Sequence, residues 1–472
     1  MKTVRRALAA HLALALALAL ALALSACATQ APPPHVTAAA APQWQAPLPH
    51  NGKLVDLNDW WRHQGDALLA RLIEAAETVS PTLATARTRI LQSRAQRVAS
   101  GAALGPTLDA AASVSRMSQQ SLQPLGTTSQ IGLQAAWEID LFGANRAARD
   151  AAQARLDGAQ AGWHEARVSV AAEVANQYYS LRACQQLLDV ARQDAASRAA
   201  TSRLTDLSAT AGFQSPANAA LARASAAEGS GRALEQRAAC DVGVKGLVAL
   251  TALPEPELRA QLAGAAAVPA PALAISALPA QTLSQRPDVF SAEREVTAAS
   301  AEVGGARAQR YPRLSLSGQV GAGNFRSDGS STTASTWTIG PLSVTLPIFD
   351  GGRRRANVDA AAARYDEAVV KYRASVRQAV REMEEALVQL DSAGRRSGQA
   401  RVALDGYNTS FAATEDRYKN GLASLIELEE SRRTRLAAEN TVVNLERERS
   451  GAWIALYRAA GGGWTAPASA PN

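Results

Sequence analysis

The chain is 472 residues long with a formal net charge of +7, and 47% of it is hydrophobic but only 5% aromatic. That Ala-, Arg- and Gln-rich balance suits long helices packed through small side chains. No Lys/Arg cluster is interleaved with aromatics, so the charge does not signal nucleic-acid binding, and none is expected as a partner.

Lys2, Arg5 and Arg6 precede an apolar run from Ala7 to Leu24, which ends in Leu24-Ser25-Ala26-Cys27. About 18 apolar residues are borderline for a membrane helix. No charged stop-transfer flank follows, only an Ala/Pro/Thr stretch that reads as a flexible tether, so the run is a cleaved signal. The tetrapeptide resembles the lipobox of bacterial lipoproteins. The resemblance implies that Cys27 becomes an acylated mature N-terminus and, with Ala28 after it, that the protein is sorted to the outer membrane. Losing residues 1–26 removes three basic and no acidic residues, which lowers the net charge to +4. No second run of about 20 apolar residues follows, so the mature chain can cross a membrane only with strands.

A helix is expected from Gly65 to Ala103, broken by Gly105-Pro106. Residues 107–117 and 129–142 then alternate with period two. Ile131, Leu133, Ala135, Trp137 and Ile139 take one face, and Gln130, Gly132, Gln134 and Glu138 the other. A proline-free helix follows from Gly143 to about Ala209, then a turn at 209–218 and a returning helix.

The same plan recurs. "GANRAARDAAQARLDGA" (143–159) aligns with "GRRRANVDAAAARYDEA" (352–368) at an offset of 209, and Gly212 and Ser215 fall on Gly421 and Ser424. Upstream, residues 104–114 align with 310–320 at an offset of 206, and Pro81 falls on Pro287. The second strand pair is expected at 313–323 and 335–349, with a parity change at Gly340-Pro341 that marks a bulge. The second long helix, Gly352 to about Lys419, carries Val369, Val376, Met383 and Leu390 at heptad spacing. About 67 residues at 1.5 Å each give roughly 100 Å of helix.

Four strands cannot close on themselves, and lipid does not tolerate open edges. Two copies would give eight strands and a filled interior, whereas three give twelve and a pore. The fold class expected is therefore an α+β membrane protein: a trimeric 12-stranded outer-membrane β-barrel, four strands per chain, continued by a long α-helical periplasmic barrel from an internally duplicated chain.

The lipobox, the duplicated plan, "LSQRPDVFSAEREVTAASAEVGGARAQRYPRLSLSG" (283–318) and "LYRAAGGGW" (456–464) together resemble the TolC-like outer membrane factors, in the lipoprotein (OprM/CusC, NodT-type) branch. The resemblance implies an exit duct of a tripartite efflux system, with a periplasmic adaptor (membrane fusion) protein and an inner-membrane resistance-nodulation-division pump as partners. It also implies a homotrimer held to outer membrane lipid through its acylated cysteine. The division expected is signal 1–26, tether and equatorial segment 27–60, first repeat 61–250, equatorial linker 251–280, second repeat 281–464 and tail 465–472. No enzyme motif, cofactor site or metal-ligand spacing is present, and His63 and His164 are isolated.

On the family's pattern, Gly212, Ser215, Gly421 and Ser424 mark the hairpin tips where the adaptor docks. Ile426, Glu430 and Arg433 match the periplasmic gate, with Glu427 beside them. Glu430 stands where the family usually has Asp. Asp206, Arg417 and Tyr418 are candidates for links that hold the closed state. A solvated helix face with Glu–Arg pairs remains the alternative. Cys184 and Cys240 each lie 28 residues from Gly212, so an oxidising periplasm favours a disulfide across the hairpin, with two buried thiols as the other outcome. Two other functions remain open: type I protein secretion, and a non-pore periplasmic coiled-coil lipoprotein.

Overall fold

A computed structural model of the chain describes residues 31–39, 44–46, 60–63, 65–119, 123–264, 283 and 286–465. The signal, Cys27, residues 265–280 of the linker and the tail from 466 lie outside the described residues. The elements are α1 (Trp60–His63), α2 (Ala67–Val79), α3 (Pro81–Ala102), β1 (Thr107–Gln119), β2 (Gln123–Ile139), α4 (Ala144–Thr210), α5 (Pro216–Thr251) and α6 (Glu255–Gly264). After them come α7 (Pro287–Ala308), β3 (Arg313–Ser327), β4 (Ser330–Thr345), α8 (Arg353–Lys419) and α9 (Leu425–Ala459). No described helix is long and apolar enough to cross a membrane.

Five consecutive elements of the first half, α3 to α5 with their strand pair, recur in the second as α7 to α9 with theirs. Helices α3 and α7 both have 22 residues, and α4 and α8 both have 67. The expected helix from Gly65 to Ala103 is instead two helices. Pro81 has no N–H to give and holds Ser80 extended at ψ 121°, so α2 ends with the Ser80 amide on the Ala76 carbonyl.

The chain divides into two compact units that cut across the repeats. The first contains residues 1–38, 89–160 and 291–373. Its sheet is antiparallel in the order β1-β2-β3-β4, so the two hairpins join through β2 and β3 and leave β1 and β4 as edges. The register puts Leu108, Leu133, Val320 and Trp337 on one face with Ile131, Ile339 and Leu342, and Asp109, Gln134 and Gln319 on the other. These apolar side chains are exposed: Val114 is 74% accessible, Trp337 73% and Ile339 83%. At the expected bulge, Leu316 pairs with Leu342 and Gly318 with Ile339, so Gly340 and Pro341 together face Ser317. The strands run further than alternation indicated, because Asp328 and Gly329, both at positive φ, close the β3–β4 hairpin in two residues. The Ser/Thr-rich flanks of that turn carry no amphipathic pattern, which hid them.

Helices of this unit meet through small residues. Ala151, Ala154 and Ala298 form one buried cluster, and Val296, Ala299, Ala368 and Val369 another. Arg155 joins Glu295 and Glu302 at 2.9 and 2.6 Å, and those two carboxylates raise its pKa against its burial. Residues 31–36 are not a free tether. The Tyr365 hydroxyl donates to the Pro33 carbonyl, Thr297 to that of Pro34, and Ser300 to that of Pro32, while His35 meets Glu293. Carbonyls of a proline run have no local amide donors, so they are open to side-chain hydroxyls.

The second unit, residues 39–88, 161–290 and 374–472, holds the main core. Leu69, Leu72, Tyr178, Leu181, Leu247, Leu258, Met383 and Leu387 are essentially inaccessible. Trp60 stacks on Tyr457, and Gly462 at φ 60° lies where a Cβ would stand 2.3 Å from Val168. Arg286, in the "RPDV" start of α7, is a structural clamp. It donates to Asp288, to Glu382 and to the Ala459 carbonyl.

Cys184 in α4 and Cys240 in α5 have Cα atoms 5.6 Å apart and Sγ atoms at bonding distance, 2.10 Å. Glycines allow that approach. A Cβ at Gly246 would meet Gln177 at 2.5 Å, and one at Gly243 would meet Leu181 at 3.2 Å. Gly246→Leu is expected to displace the Gln177 side chain from the Gly243 carbonyl it donates to, costing about 1–3 kcal/mol. A lower melting temperature is the expected readout; an unchanged one would refute the role of the glycine.

Candidate functional site

Both hairpins reverse in the same way. At the first, the Phe213 amide donates to the Ser208 carbonyl and that of Gly212 to Ala209; at the second, Leu422 donates to Arg417 and Gly421 to Tyr418. This pattern needs a left-handed residue at the helix end, and Gly212 (φ 81°) and Gly421 (φ 74°) supply it. Three residues on, Ser215 and Ser424 cap the returning helices by accepting from the Asn218 and Glu427 amides. At Ser424 the cap is reciprocal, with the Glu427 carboxylate taking the Ser424 amide at 2.7 Å. These four residues therefore shape the tips.

The gate candidates separate into four environments. Ile426 is 70% exposed, and Glu430 pairs only with Arg433, one turn on, in solvent. Glu427 is committed to its cap, and the hydrogen bond from the Ser424 backbone holds its carboxyl below the usual range. Asp206 pairs with Arg223 on its own hairpin at 2.7 Å, and Arg417 donates to the Leu422 carbonyl within its own turn. Tyr418 alone of these links the hairpins, its hydroxyl 2.9 Å from Thr205 Oγ1.

A stronger linkage lies next to it, and the sequence did not single it out. Arg198 of α4 is buried, with its Nε on Asp194 and its Nη1 on Ser225 of α5 and Glu429 of α9. Arg432 of α9, 1% exposed, donates to Thr201 at 2.9 Å and Ser197 at 3.2 Å of α4, and pairs with Glu429. Phe411 of α8 lies under the guanidiniums of Arg432 and Arg435. Burial lowers the Arg432 pKa and Glu429 opposes that shift, so the pair holds its charges by mutual compensation. One buried carboxylate, one partly buried carboxylate and two buried guanidiniums thus tie three helices together. Gly229 makes the space, since a Cβ there would stand 2.8 Å from Arg198 Cδ. The legible signal was small residues on α5 facing an interruption of the apolar pattern in α4. Glu429 and Arg432 themselves look like any exposed i,i+3 pair.

Elsewhere in this unit, a cavity of 890 Å³ is lined by both repeats, with Glu173, Asn176, Glu382, Glu385 and Arg458 among its walls. Glu173 and Glu382 are equivalent positions at the 209-residue offset. His164 packs between Trp163 and Trp464, and burial lowers its pKa. Among the described residues no group of His, Cys, Asp and Glu could hold a metal.

Known proteins carry the same plan. The model of the family described as outer membrane efflux protein matches residues 72–251 and 278–462. The pyoverdine export outer membrane protein OpmQ of Pseudomonas putida is 30% identical over 459 residues, 93% of this chain and 95% of that protein. The outer membrane protein OprJ of Pseudomonas aeruginosa is 30% identical over 444 residues, 90% of this chain and 91% of that one. Among solved structures, the outer-membrane channel OprN superposes with a TM-score of 0.83 at 26% identity, covering 92% of this chain and 99% of that chain.

Two outcomes test these assignments. Glu429→Gln should cost about 2–4 kcal/mol by leaving buried guanidiniums uncompensated, whereas Glu430→Gln should stay within about 0.5 kcal/mol; equal melting temperatures would contradict the contrast. Because the Glu427 pKa is lowered from 4.5, its cap is complete at neutral pH and is lost as pH falls through that lowered value. Hydrogen exchange of the Ser424 amide, which donates to that carboxylate, should lose its protection only in that acid range.

Proposed function

The chain belongs to the outer membrane efflux protein family, and on that premise we propose that it is the exit duct of a tripartite efflux system, conducting small molecules passively from a pump–adaptor assembly out of the cell. The observation that carries this reading is the four-stranded sheet with one apolar exposed face, one polar face and two open edges. An apolar outer band and polar inner face are what a membrane barrel requires, and lipid tolerates such a sheet only when it is closed. Three copies give twelve strands and a lumen.

The helices support the same count. On α4, the face bearing Asp194, Arg198 and Thr201 is buried against α9, but the equivalent α8 residues Ala403, Tyr407 and Ser410 are exposed. On α9, Arg432 is buried, while its equivalent on α5, Arg223, is mostly exposed. Each protomer thus presents both halves of one contact, unpaired, for its neighbours, as a closed ring needs. The helices then continue the barrel into the periplasm. Residues 61–250 and 281–464 act as the two repeats around the 251–280 linker, and Cys27 carries the lipid anchor. The hairpin tips at Gly212 and Gly421 meet the adaptor, which couples them to an inner-membrane pump. Ile426 and Glu430 become rings of three at the periplasmic aperture, where converging carboxylates favour cations. The protein does no chemistry itself.

Purified protein should run as a heat-modifiable trimer and conduct in planar bilayers. Glu430→Gln should lower the cation-to-anion permeability ratio on the order of twofold without changing assembly. A monomer with no conductance would overturn the reading.

A further inference from the structure

Another cavity in the unit that holds the core is lined largely by arginines. It encloses 230 Å³ between α4, α8 and α9, and its walls include Tyr179, Arg182, Arg401, Glu446, Arg447 and Arg449. Four guanidiniums therefore face one carboxylate. Glu446 is already taken, since Arg401 Nη2 donates to it at 3.1 Å. Arg447 and Arg449 have no ion pair among the described residues. Arg182 is held by neutral acceptors: Nε donates to the Tyr178 hydroxyl, and Nη1 donates to Gln185 and to the Leu262 carbonyl. Its Nη2 is buried and has no hydrogen-bond partner among the described residues.

Tyr179 adds a second unsatisfied group. It is 8% exposed, and its hydroxyl is buried without a partner among the described residues. A buried hydroxyl and a buried guanidinium N–H left unpaired are costly unless something completes them. Burial pushes the Tyr179 phenol pKa up, so the group remains a donor throughout the physiological range. Apart from the paired Arg401 and Glu446, every charged group of the wall is positive, and Tyr179, Gln186 and Ser450 are its neutral polar side chains.

Helix packing does not require this set. At the 209-residue offset, Tyr179 becomes Val388, Arg182 becomes Asp391, Arg447 becomes Ala238 and Arg449 becomes Cys240. Arg401 falls on Arg192 and Glu446 on Arg237, so the other repeat is basic at two of these positions but lacks the Tyr179 hydroxyl and the Arg182, Arg447 and Arg449 guanidiniums, and those four are additions to the shared plan.

We propose that this cavity is a binding site for an oxyanion, the carboxylate or phosphate group of a small ligand. Tyr179 and Arg182 donate at its floor, and Arg447 and Arg449 supply the compensating charge at its mouth. Arg–oxyanion hydrogen bonds are the strong, charge-assisted kind.

The test is calorimetric titration of the full-length, detergent-extracted protein with inorganic phosphate and, separately, with acetate, at constant ionic strength set with chloride. Saturable binding of phosphate assigns a tetrahedral dianion to the site, and saturation by acetate alone assigns a carboxylate. The Arg447→Gln/Arg449→Gln variant should bind about tenfold more weakly. Tyr179→Phe, which removes only the hydroxyl, should also weaken binding while leaving the melting temperature in ligand-free buffer unchanged. No saturable binding above chloride, or equal affinity in the double variant, would overturn the proposal.

Discussion

A strand that meets lipid must have both of its backbone edges paired, because hydrocarbon offers no substitute for a lost hydrogen bond. The chain has four strands on which that requirement would act. The interior pairing of β2 with β3 joins the two repeats into one sheet, which halves the number of free edges. The edges of β1 and β4 remain, and nothing in the chain covers them among the described residues. The apolar face that carries Ile339, 83% accessible, and Trp337, 73% accessible, is left uncovered by the chain itself, and an exposed apolar surface of this kind marks a membrane or protein contact.

Duplication solves the helical part with the same economy. A repeated helix pair packs on its partner through one contact within the chain, and the unmatched halves of that contact stand at the two edges. The quasi-equivalent residues are not copies in chemistry. Arg432 is buried in an ionic cluster while Arg223 reaches into solvent beside Asp206. Tyr179 and Arg182 line a basic cavity while Val388 and Asp391 do not. Shape is preserved where closure needs it, and charge is free to diverge.

Charge is also what distinguishes neighbouring residues at the hairpin ends. Glu427, Glu429 and Glu430 are nearly consecutive, yet one caps a helix, one compensates buried arginines and one stands in water. The helical period turns each to a different environment, about 100° apart per residue. Deleting the middle carboxylate strands buried guanidiniums, whereas the flanking two lie where solvent replaces what is lost. Spacing along the chain identified the tips, but it had no way to rank these three.

What the sequence determined by itself was everything periodic or local. Repeats at fixed offsets, alternation on β2, the parity change at Gly340-Pro341 and the Gly–Ser turn chemistry all record their physics within a few residues. Cys184 and Cys240 were legible because a hairpin makes equal distances from Gly212 into neighbours. Only the tertiary structure decided the rest: that α2 stops at Ser80, that residues 31–36 lie on α7, and that Glu429 rather than Glu430 is held between helices. Those outcomes depend on which face of a helix is covered and by what, and in helices this rich in Ala and Arg the covered and open faces are written with the same letters.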